Sequence, residues 1–328
     1  MAVLLGVDTG GTYTDAVLVE DDKTVLASAK SLTTRSDLAQ GIGASVAAVI
    51  DRAGVDPASI AMAALSTTLA TNALVEGHGG RVALVYIGFN RKDLATHGLT
   101  DALAGDPLIV LEGGHTHAGV EAAPLDGVAL SDWLAGLVGG SAFAVASQFG
   151  TRNPEHELKA AEIIRAATGA PVSCSHHLSA KLNGPKRALT ALLNARLIGM
   201  IDRLIGRAQD ALIASGVNAP LMVVRGDGAL ISAAMARERP IETILSGPAA
   251  SIVGARWLTG AEHALVSDIG GTTTDIAVLR DGRPTIDPAG AQVGPYRTMV
   301  EAVAMRTSGL GGDSEVHFIA EGLKSGVT

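Results

Sequence analysis

The sequence predicts an α/β protein of two domains, and three observations carry that prediction. A short glycine-centred stretch, flanked by strand-length apolar runs, is written twice. Between the copies, apolar runs of strand length alternate with helical patterns. At 328 residues with 47% hydrophobic content, the chain also has enough apolar matter for two cores.

The repeated stretch is Asp8-Thr9-Gly10-Gly11-Thr12-Tyr13-Thr14-Asp15. It returns 260 positions later as Asp268-Ile269-Gly270-Gly271-Thr272-Thr273-Thr274-Asp275. Each copy follows an apolar run (residues 3–7 and 264–266) and precedes another (16–19 and 276–279), which reads strand, glycine turn, strand. One such Gly-Gly would be no more than a hairpin turn. Two copies that agree at both aspartates, both glycines and two threonines point to a shared task. Consecutive amides and threonine hydroxyls at a hairpin tip make a nest for anionic oxygens. Glycine there lets a ligand approach the backbone closely, or lets the chain turn with positive φ. An aspartate at the strand end repels phosphate directly but can hold Mg²⁺ through water, and the cation offsets the charge. Two facing hairpins of this kind would grip one polyphosphate from both sides.

The formal net charge of −8 gives no support to nucleic-acid binding, which needs a basic stripe. The longest clean apolar runs, such as residues 82–87, are strand-sized and far below a membrane span. The first residues lack the charged and apolar regions of a signal peptide, and the single cysteine, Cys174, excludes an internal disulfide framework. The expectation is a soluble cytoplasmic protein with no nucleic-acid or membrane partner.

Taken in order, residues 3–7, 15–20 and 24–29 read as strands, followed by a helix capped by Ser36 and ended by Gly54. Residues 60–65 form a buried strand that delivers Ser66-Thr67-Thr68-Leu69-Ala70-Thr71-Asn72, either a helix cap with exposed threonines or a site for an anionic or carbonyl ligand. Strands at 82–87, 143–147 and 171–175 and a helix at 155–168 continue the α/β rhythm, with residues 105–128 mostly loop. His115 with His117, and His176 with His177, are the only histidine clusters, and neither has a third ligand at useful spacing. A long helix opens at Asn183-Gly184-Pro185 and runs to about Ser215; Gly199 and Gly206 inside it suggest close packing against another element. Residues 221–224 form a strand ending in Arg225-Gly226-Asp227-Gly228, a position where α/β sheets bind ligands. Residues 246–255 start a helix of small side chains, either a plain core helix or the hinge between two lobes. After the second hairpin come a loop to Tyr296, an apolar run at 299–305 and a third glycine-rich nest, Gly309-Leu310-Gly311-Gly312-Asp313-Ser314; residues 315–328 hold one further strand.

These residues resemble the ATPase fold shared by actin, sugar kinases and heat-shock chaperone ATPases. Residues 8–15 are similar to its first phosphate motif, 246–255 to its first connecting helix, and 268–275 to its second phosphate motif. The resemblance implies two ribonuclease-H-like lobes: residues 1–258, with an α/β insertion at about 76–182, and residues 259–328 as the start of a second lobe. The adenosine motif and second connecting helix are not found before Thr328, so the second lobe is expected to be incomplete. Within that superfamily the wording resembles the hydantoinase/oxoprolinase family, specifically its ATP-binding A subunit, over nearly the whole chain. Two departures stand out. Leu65-Ser66 occupies the place of a His-Gly pair, and Gly309 to Ser314 replaces a Gly-Ala-Gly-Gly-Gly-Ser stretch.

The resemblance implies an ATP- and Mg²⁺-using amidohydrolase that opens a cyclic amide of hydantoin or 5-oxoproline type by phosphoryl activation, working with a second, B-type subunit. Asp8 and Asp268 would be the catalytic carboxylates, holding Mg²⁺ through water. Gly10, Gly11, Thr12, Thr14, Gly270, Gly271, Thr272 and Thr273 would cradle the phosphates, and Gly311 and Gly312 would border the nucleotide. Thr67, Thr68, Thr71 and Asn72 would face the substrate. Two rival readings are the ATP-using subunit of a ketone carboxylase and a non-catalytic ATP switch that closes on a protein partner.

Overall fold

The computed structural model describes residues 2–34, 37–271, 273–319 and 322–327. It is an α/β protein with mixed sheets. β1 (Val3–Thr9), β2 (Tyr13–Glu20) and β3 (Thr24–Leu32) form an antiparallel meander. Strict alternation in β1 sends Val3, Leu5 and Val7 into the core and leaves Asp8 on the opposite face. α1 (Leu38–Ala53) covers the core face with Ile42, Val46 and Val49. Its cap position is Asp37, whose side chain makes no capping bond; the expected cap, Ser36, lies outside the described residues. Gly54 ends the helix in the left-handed conformation (φ 62°), as its sequence position predicts.

β4 (Ile60–Thr67) runs parallel to β1 and leads directly into α2 (Leu69–Val75). A second sheet is built from β5 (Val82–Ile87), α3 (Leu99–Leu103), β6 (Leu108–Leu111), α4 (Gly127–Ala135), β7 (Ala142–Ser147), α5 (Glu155–Thr168), β8 (Val172–Cys174) and α6 (Ser175–Leu178). Its order is β6-β5-β7-β8, all parallel, and β5 and β7 are buried at every residue, as central strands covered on both faces require. The stretch read as loop at 105–128 in fact contains β6 and the start of α4.

α7 (Gly184–Ala214) lies between the two sheets, and residues 187–195 are buried on every side. Asn183 caps it, its side chain accepting from the Lys186 amide. The close packing expected at Gly199 and Gly206 is absent: a Cβ at either position would meet only the end of an arginine, at 3.5 and 3.8 Å. At the crest of the second sheet, the Glu157 carboxylate is fully buried. It accepts from the Ser147 amide (2.9 Å), the Ser175 hydroxyl (2.7 Å), the His176 amide (3.0 Å) and the His176 ring (2.7 Å). Arg187 on α7 closes this cluster, donating to Ser175 Oγ (3.2 Å) and the Ser147 carbonyl (2.7 Å). Burial alone would raise the Glu157 pKa; these donors outweigh it and hold the group below the ordinary range. His115 is buried with its ring 4.4 Å from that of His156, whereas His117 is exposed, so this pair does not converge on one point.

β9 (Leu221–Val224) pairs in parallel with β4, and β10 (Leu230–Ser232) pairs antiparallel to β9 and leads into α8 (Ala233–Glu238). The first sheet thus has the order β10-β9-β4-β1-β2-β3. α9 (Ser246–Thr259) then crosses to a third sheet, β11 (Ala264–Ile269), β12 (Thr274–Arg280) and β13 (Arg283–Pro284), where Ala249 and Ile252 pack on Ala277 and Leu279. The following segment turns back as the small hairpin β14 (Gln292–Val293) and β15 (Tyr296–Arg297). Its residues Ala291, Val293, Val300 and Ala302 join the core of the first sheet. β16 (Met305–Ser308) returns to pair with β12, and β17 (Ser314–Ile319) pairs with β18 (Gly322–Val327). No helix among the described residues is long and apolar enough to cross a membrane.

Candidate functional site

The two hairpins fold alike, rung for rung. Asp8 faces Asp15 across β1 and β2, and Asp268 faces Asp275 across β11 and β12. Each turn is closed by one bond, Gly10 N–H to the Tyr13 carbonyl (3.0 Å) and Gly270 N–H to the Thr273 carbonyl (2.8 Å). Gly11 and Gly271 are exposed, adopt no left-handed φ, and have nothing within 4 Å of the point where a Cβ would stand. The chain's own packing and turn geometry therefore do not require glycine at either position. Thr12 is exposed beside Gly11; Thr272 lies outside the described residues.

Thr14 is not at the tip. It is fully buried, its hydroxyl 3.0 Å from that of Thr33, and it occupies the space left by Gly41 of α1. The phosphate-cradling place expected for Thr14 is one its side chain does not reach. Thr273 is exposed and does face the cleft described below.

Asp8 is tied to β4 by the Ser66 hydroxyl, which donates to Oδ1 at 2.5 Å. Burial raises the Asp8 pKa above the ordinary carboxylate value; the Ser66 bond opposes this, and the charges of Asp15 and Asp268 add to it. Ser66 stands where the resembled family pattern has glycine, which offers no hydroxyl. The start of α9 lies alongside: a Cβ on Gly247 would sit 3.9 Å from Asp8 Oδ1 and 3.6 Å from Thr68 Cγ2. Ser246 bridges the Thr67 backbone, accepting from its amide (3.3 Å) and donating to its carbonyl (2.9 Å). Thr71 Oγ1 accepts from the amide of Leu245 (2.9 Å), which is held at φ 60°. A left-handed non-glycine residue costs about 1–2 kcal/mol, and these contacts with β4 and α2 hold it.

Gly311 and Gly312 come directly onto the second hairpin. Gly312 N–H donates to the Gly270 carbonyl (3.0 Å), and Asp313 N–H to the Gly271 carbonyl (2.9 Å). The Thr274 hydroxyl fixes this loop by donating to the Leu310 carbonyl (2.5 Å). The Arg225 to Gly228 turn, by contrast, is occupied by the chain itself: Gly226 donates to Glu242 and accepts from Val303.

A cleft of about 550 Å³ opens between the end of β4 with α2, the start of α9, β12 with β16, and the segment around β14. Thr67, Thr68, Thr71 and Asn72 all line it, on the side opposite Thr273, Asp275 and Thr307. Its walls include Val75, Val293, Val303 and Met305. One acidic residue there, Asp287, carries no sequence signal. Its carboxylate accepts from Arg297 Nη1 (2.7 Å) and the Ala289 amide (2.8 Å). The Arg297 bond above all keeps its pKa below the ordinary range.

Comparison with known proteins agrees with this geometry. Residues 4–168 match the hydantoinase/oxoprolinase N-terminal region and residues 187–327 match hydantoinase/oxoprolinase. The chain is 29% identical to the caprolactamase subunit alpha of Pseudomonas jessenii, over 95% of this chain and 48% of that protein. It is 27% identical to the acetophenone carboxylase gamma subunit of Aromatoleum aromaticum, over 93% of this chain and 46% of that protein. The crystal structure of the Pseudomonas jessenii ATP-dependent caprolactamase superimposes with a TM-score of 0.79 at 28% identity, covering 96% of this chain and 49% of that one. Nucleotide-free acetone carboxylase shares the fold, with a TM-score of 0.81 at 22% identity over 100% of this chain and 51% of that one. The chain thus spans about half the length of the curated relatives it matches. On these matches, and on the doubled hairpin they enclose, the chain belongs to the hydantoinase/oxoprolinase family.

Proposed function

We propose that this chain is the ATP-using part of an enzyme that activates a cyclic amide for ring opening. The observation that carries the reading is the pair Gly11 and Gly271, glycines that neither turn geometry nor packing demands. Glycine at such a place serves a ligand, because it lets phosphate oxygens reach the backbone amides. On this reading the chain comprises two ribonuclease-H-like lobes, residues 1–258 with an insertion near 76–182 and residues from 259 onward. Gly10, Gly11, Thr12, Gly270, Gly271, Thr272 and Thr273 cradle the phosphates, with Gly311 and Gly312 at the border. Asp8 and Asp268 hold Mg²⁺ through water. The raised Asp8 pKa fits this role: burial first, and then the charges of Asp15 and Asp268, disfavour the bare carboxylate, and a bound cation would offset both.

ATP, when bound, would supply a phosphoryl group to the amide oxygen, which makes the carbonyl carbon electrophilic enough for water to add and the ring C–N bond to break, with phosphate released to water. The chain's own residues do the rest. Ser66 fixes the rotamer of Asp8, and the N-terminal turn of α9 sets a positive helix end beside it. Thr68, Thr71 and Asn72 present polar groups on the acceptor side of the cleft, and Val75, Val293 and Met305 exclude water from it. A B-type partner subunit would complete the hydrolytic half, by likeness to the subunit organisation in the relatives' names.

The second reading is a ketone carboxylase subunit, favoured by the acetophenone carboxylase relative. The two are separated by following phosphate release from the complete protein with cyclic amides and, in parallel, with ketones plus bicarbonate. Amide-dependent release with a ring-opened product supports the proposal. Release that needs bicarbonate supports the carboxylase, and acceleration by neither class contradicts both.

A further inference from the structure

The cleft that would receive the acceptor substrate contains two carboxylates, Asp275 and Asp287, and among the described residues no lysine, arginine or histidine lines it. We infer that it selects an uncharged cyclic amide, whose ring N–H is accepted by Asp287, and rejects acidic amides such as 5-oxoproline. The inference rests on the amide-activation reading above and narrows its substrate class.

Asp287 is firmly held. Its two oxygens are bound by Arg297 Nη1 and the Ala289 amide, and Arg297 also donates to the Gly290 carbonyl (2.9 Å). Gly290 sits at φ 91°, and a Cβ there would stand 2.1 Å from the Thr298 carbonyl oxygen, so only glycine lets the loop close this tightly. Lys186 Nζ on α7 pins the loop from outside through the Ala289 carbonyl (2.7 Å). The carboxylate is thereby pre-placed, and each oxygen keeps a lone pair for a further donor.

Its charge state sets its role. The Arg297 bond keeps Asp287 ionised at neutral pH. That makes it a poor proton acceptor but a strong hydrogen-bond acceptor, roughly twice as strong as a neutral one. A ring N–H is the donor that a lactam or hydantoin offers and that an N-alkylated ring lacks. Sites built to hydrogen-bond a substrate N–H reject analogues without it; here an N-alkyl group would cover the carboxylate's remaining lone pair without bonding to it.

5-Oxoproline carries a carboxylate beside its ring. In this cleft that charge would face Asp275 and the carboxylate of the Asp287–Arg297 pair, and among the described residues no lysine, arginine or histidine lines the space. The remaining lining combines threonine hydroxyls and the amides of Asn72 and Gln292 with an apolar wall of Val75, Val293, Val303 and Met305. The apolar wall suits a hydrocarbon ring, and the neutral hydroxyls and amides offer the amide group hydrogen bonds but no opposite charge for an anion.

The test compares amide-stimulated ATP turnover by the complete enzyme with ε-caprolactam, hydantoin, N-methylcaprolactam and 5-oxoproline, in wild type and in Asp287→Asn. The neutral rings with an N–H should be turned over, N-methylation should lower kcat/KM by on the order of 100-fold or more, and 5-oxoproline should give no stimulation. Asp287→Asn should raise KM for the neutral rings and shrink the penalty for N-methylation, with KM for ATP unchanged. Turnover of 5-oxoproline at or above the neutral rings, or an unaltered N-methyl penalty in Asp287→Asn, overturns this inference and leaves the amide-activation reading intact. Failure of every amide to stimulate turnover overturns both.

Discussion

The Ser66 hydroxyl donates a 2.5 Å hydrogen bond to the carboxylate of Asp8, joining the neighbouring strands β1 and β4 at the edge of the candidate phosphate site. The bond favours the ionised form of Asp8 against burial and the charges of Asp15 and Asp268. Replacing Ser66 by Ala removes the one hydrogen bond that lowers the Asp8 pKa. The acidic limb of the pH profile of kcat/KM should therefore move to higher pH, with activity retained on the alkaline plateau, where Asp8 is ionised with or without the bond. A pH–rate profile that does not move would contradict the coupling.

The same raised pKa has a consequence for stability. A carboxyl whose folded pKa lies above its unfolded value contributes stability below the unfolded pKa, near 3.9, and loses that contribution as pH rises through the folded value. At pH 7 without cation, ionised Asp8 is therefore a net cost. Asp8→Asn should raise Tm at pH 7 in the absence of nucleotide and have no such benefit at pH 4. It should also lose the gain that Mg²⁺ and ATP confer, about 2.7 kcal/mol when ligand stands at 100 times Kd. Thermal melts with and without Mg²⁺·ATP at both pH values measure all three effects.

Glu157 works in the opposite sense. Its folded pKa is depressed, so its contribution is present above the unfolded value and fades as pH falls through the folded one. Glu157→Ala removes the acceptor from Ser147, Ser175 and His176 and leaves Arg187 buried beside them. Breaking such a buried charge cluster should cost about 3–5 kcal/mol at pH 7. Urea unfolding should show the difference narrowing below about pH 4.

Gly290→Ala tests the brace around Asp287 without touching its carboxylate. The clash with the Thr298 carbonyl and the left-handed φ should cost about 1–3 kcal/mol. Expressed as displacement of Asp287, that loss should raise KM for the acceptor about tenfold and leave KM for ATP unchanged, since 1.4 kcal/mol is a factor of ten. Steady-state kinetics with each substrate varied in turn distinguishes this from general loss of fold.

How much of this was legible in the sequence depends on where the information lies. The doubled hairpin was legible because both aspartates, both glycines and two threonines recur at the same spacing, and both copies fold with the same rungs and the same closing bond. The Gly311-Gly312 nest was legible by composition; in the fold Gly312 donates to the Gly270 carbonyl and Asp313 to the Gly271 carbonyl, while Gly311 donates to Ser314 Oγ. Thr14 was misplaced although the signal was present: it shares strand parity with Ala16 and Leu18, both buried, so alternation already turned it inward. Ser66 sat in a stretch recognised as polar, but its partner Asp8 lies 58 residues away and is set only by the parallel pairing of β1 with β4. Asp287 left no trace. It belongs to a segment without periodicity, and its place is decided by contacts with α7 and with Ala302 that no local pattern encodes.

The central claim is that the two hairpins act together on one Mg²⁺-bound polyphosphate. The most direct test is phosphate release by the complete protein carrying Asp8→Ala or Asp268→Ala, each with its accelerating substrate present. Both substitutions should lower kcat by on the order of 1000-fold, the scale of losing a preorganised electrostatic group at a phosphoryl-transfer site. Turnover within tenfold of wild type in either variant would contradict the account.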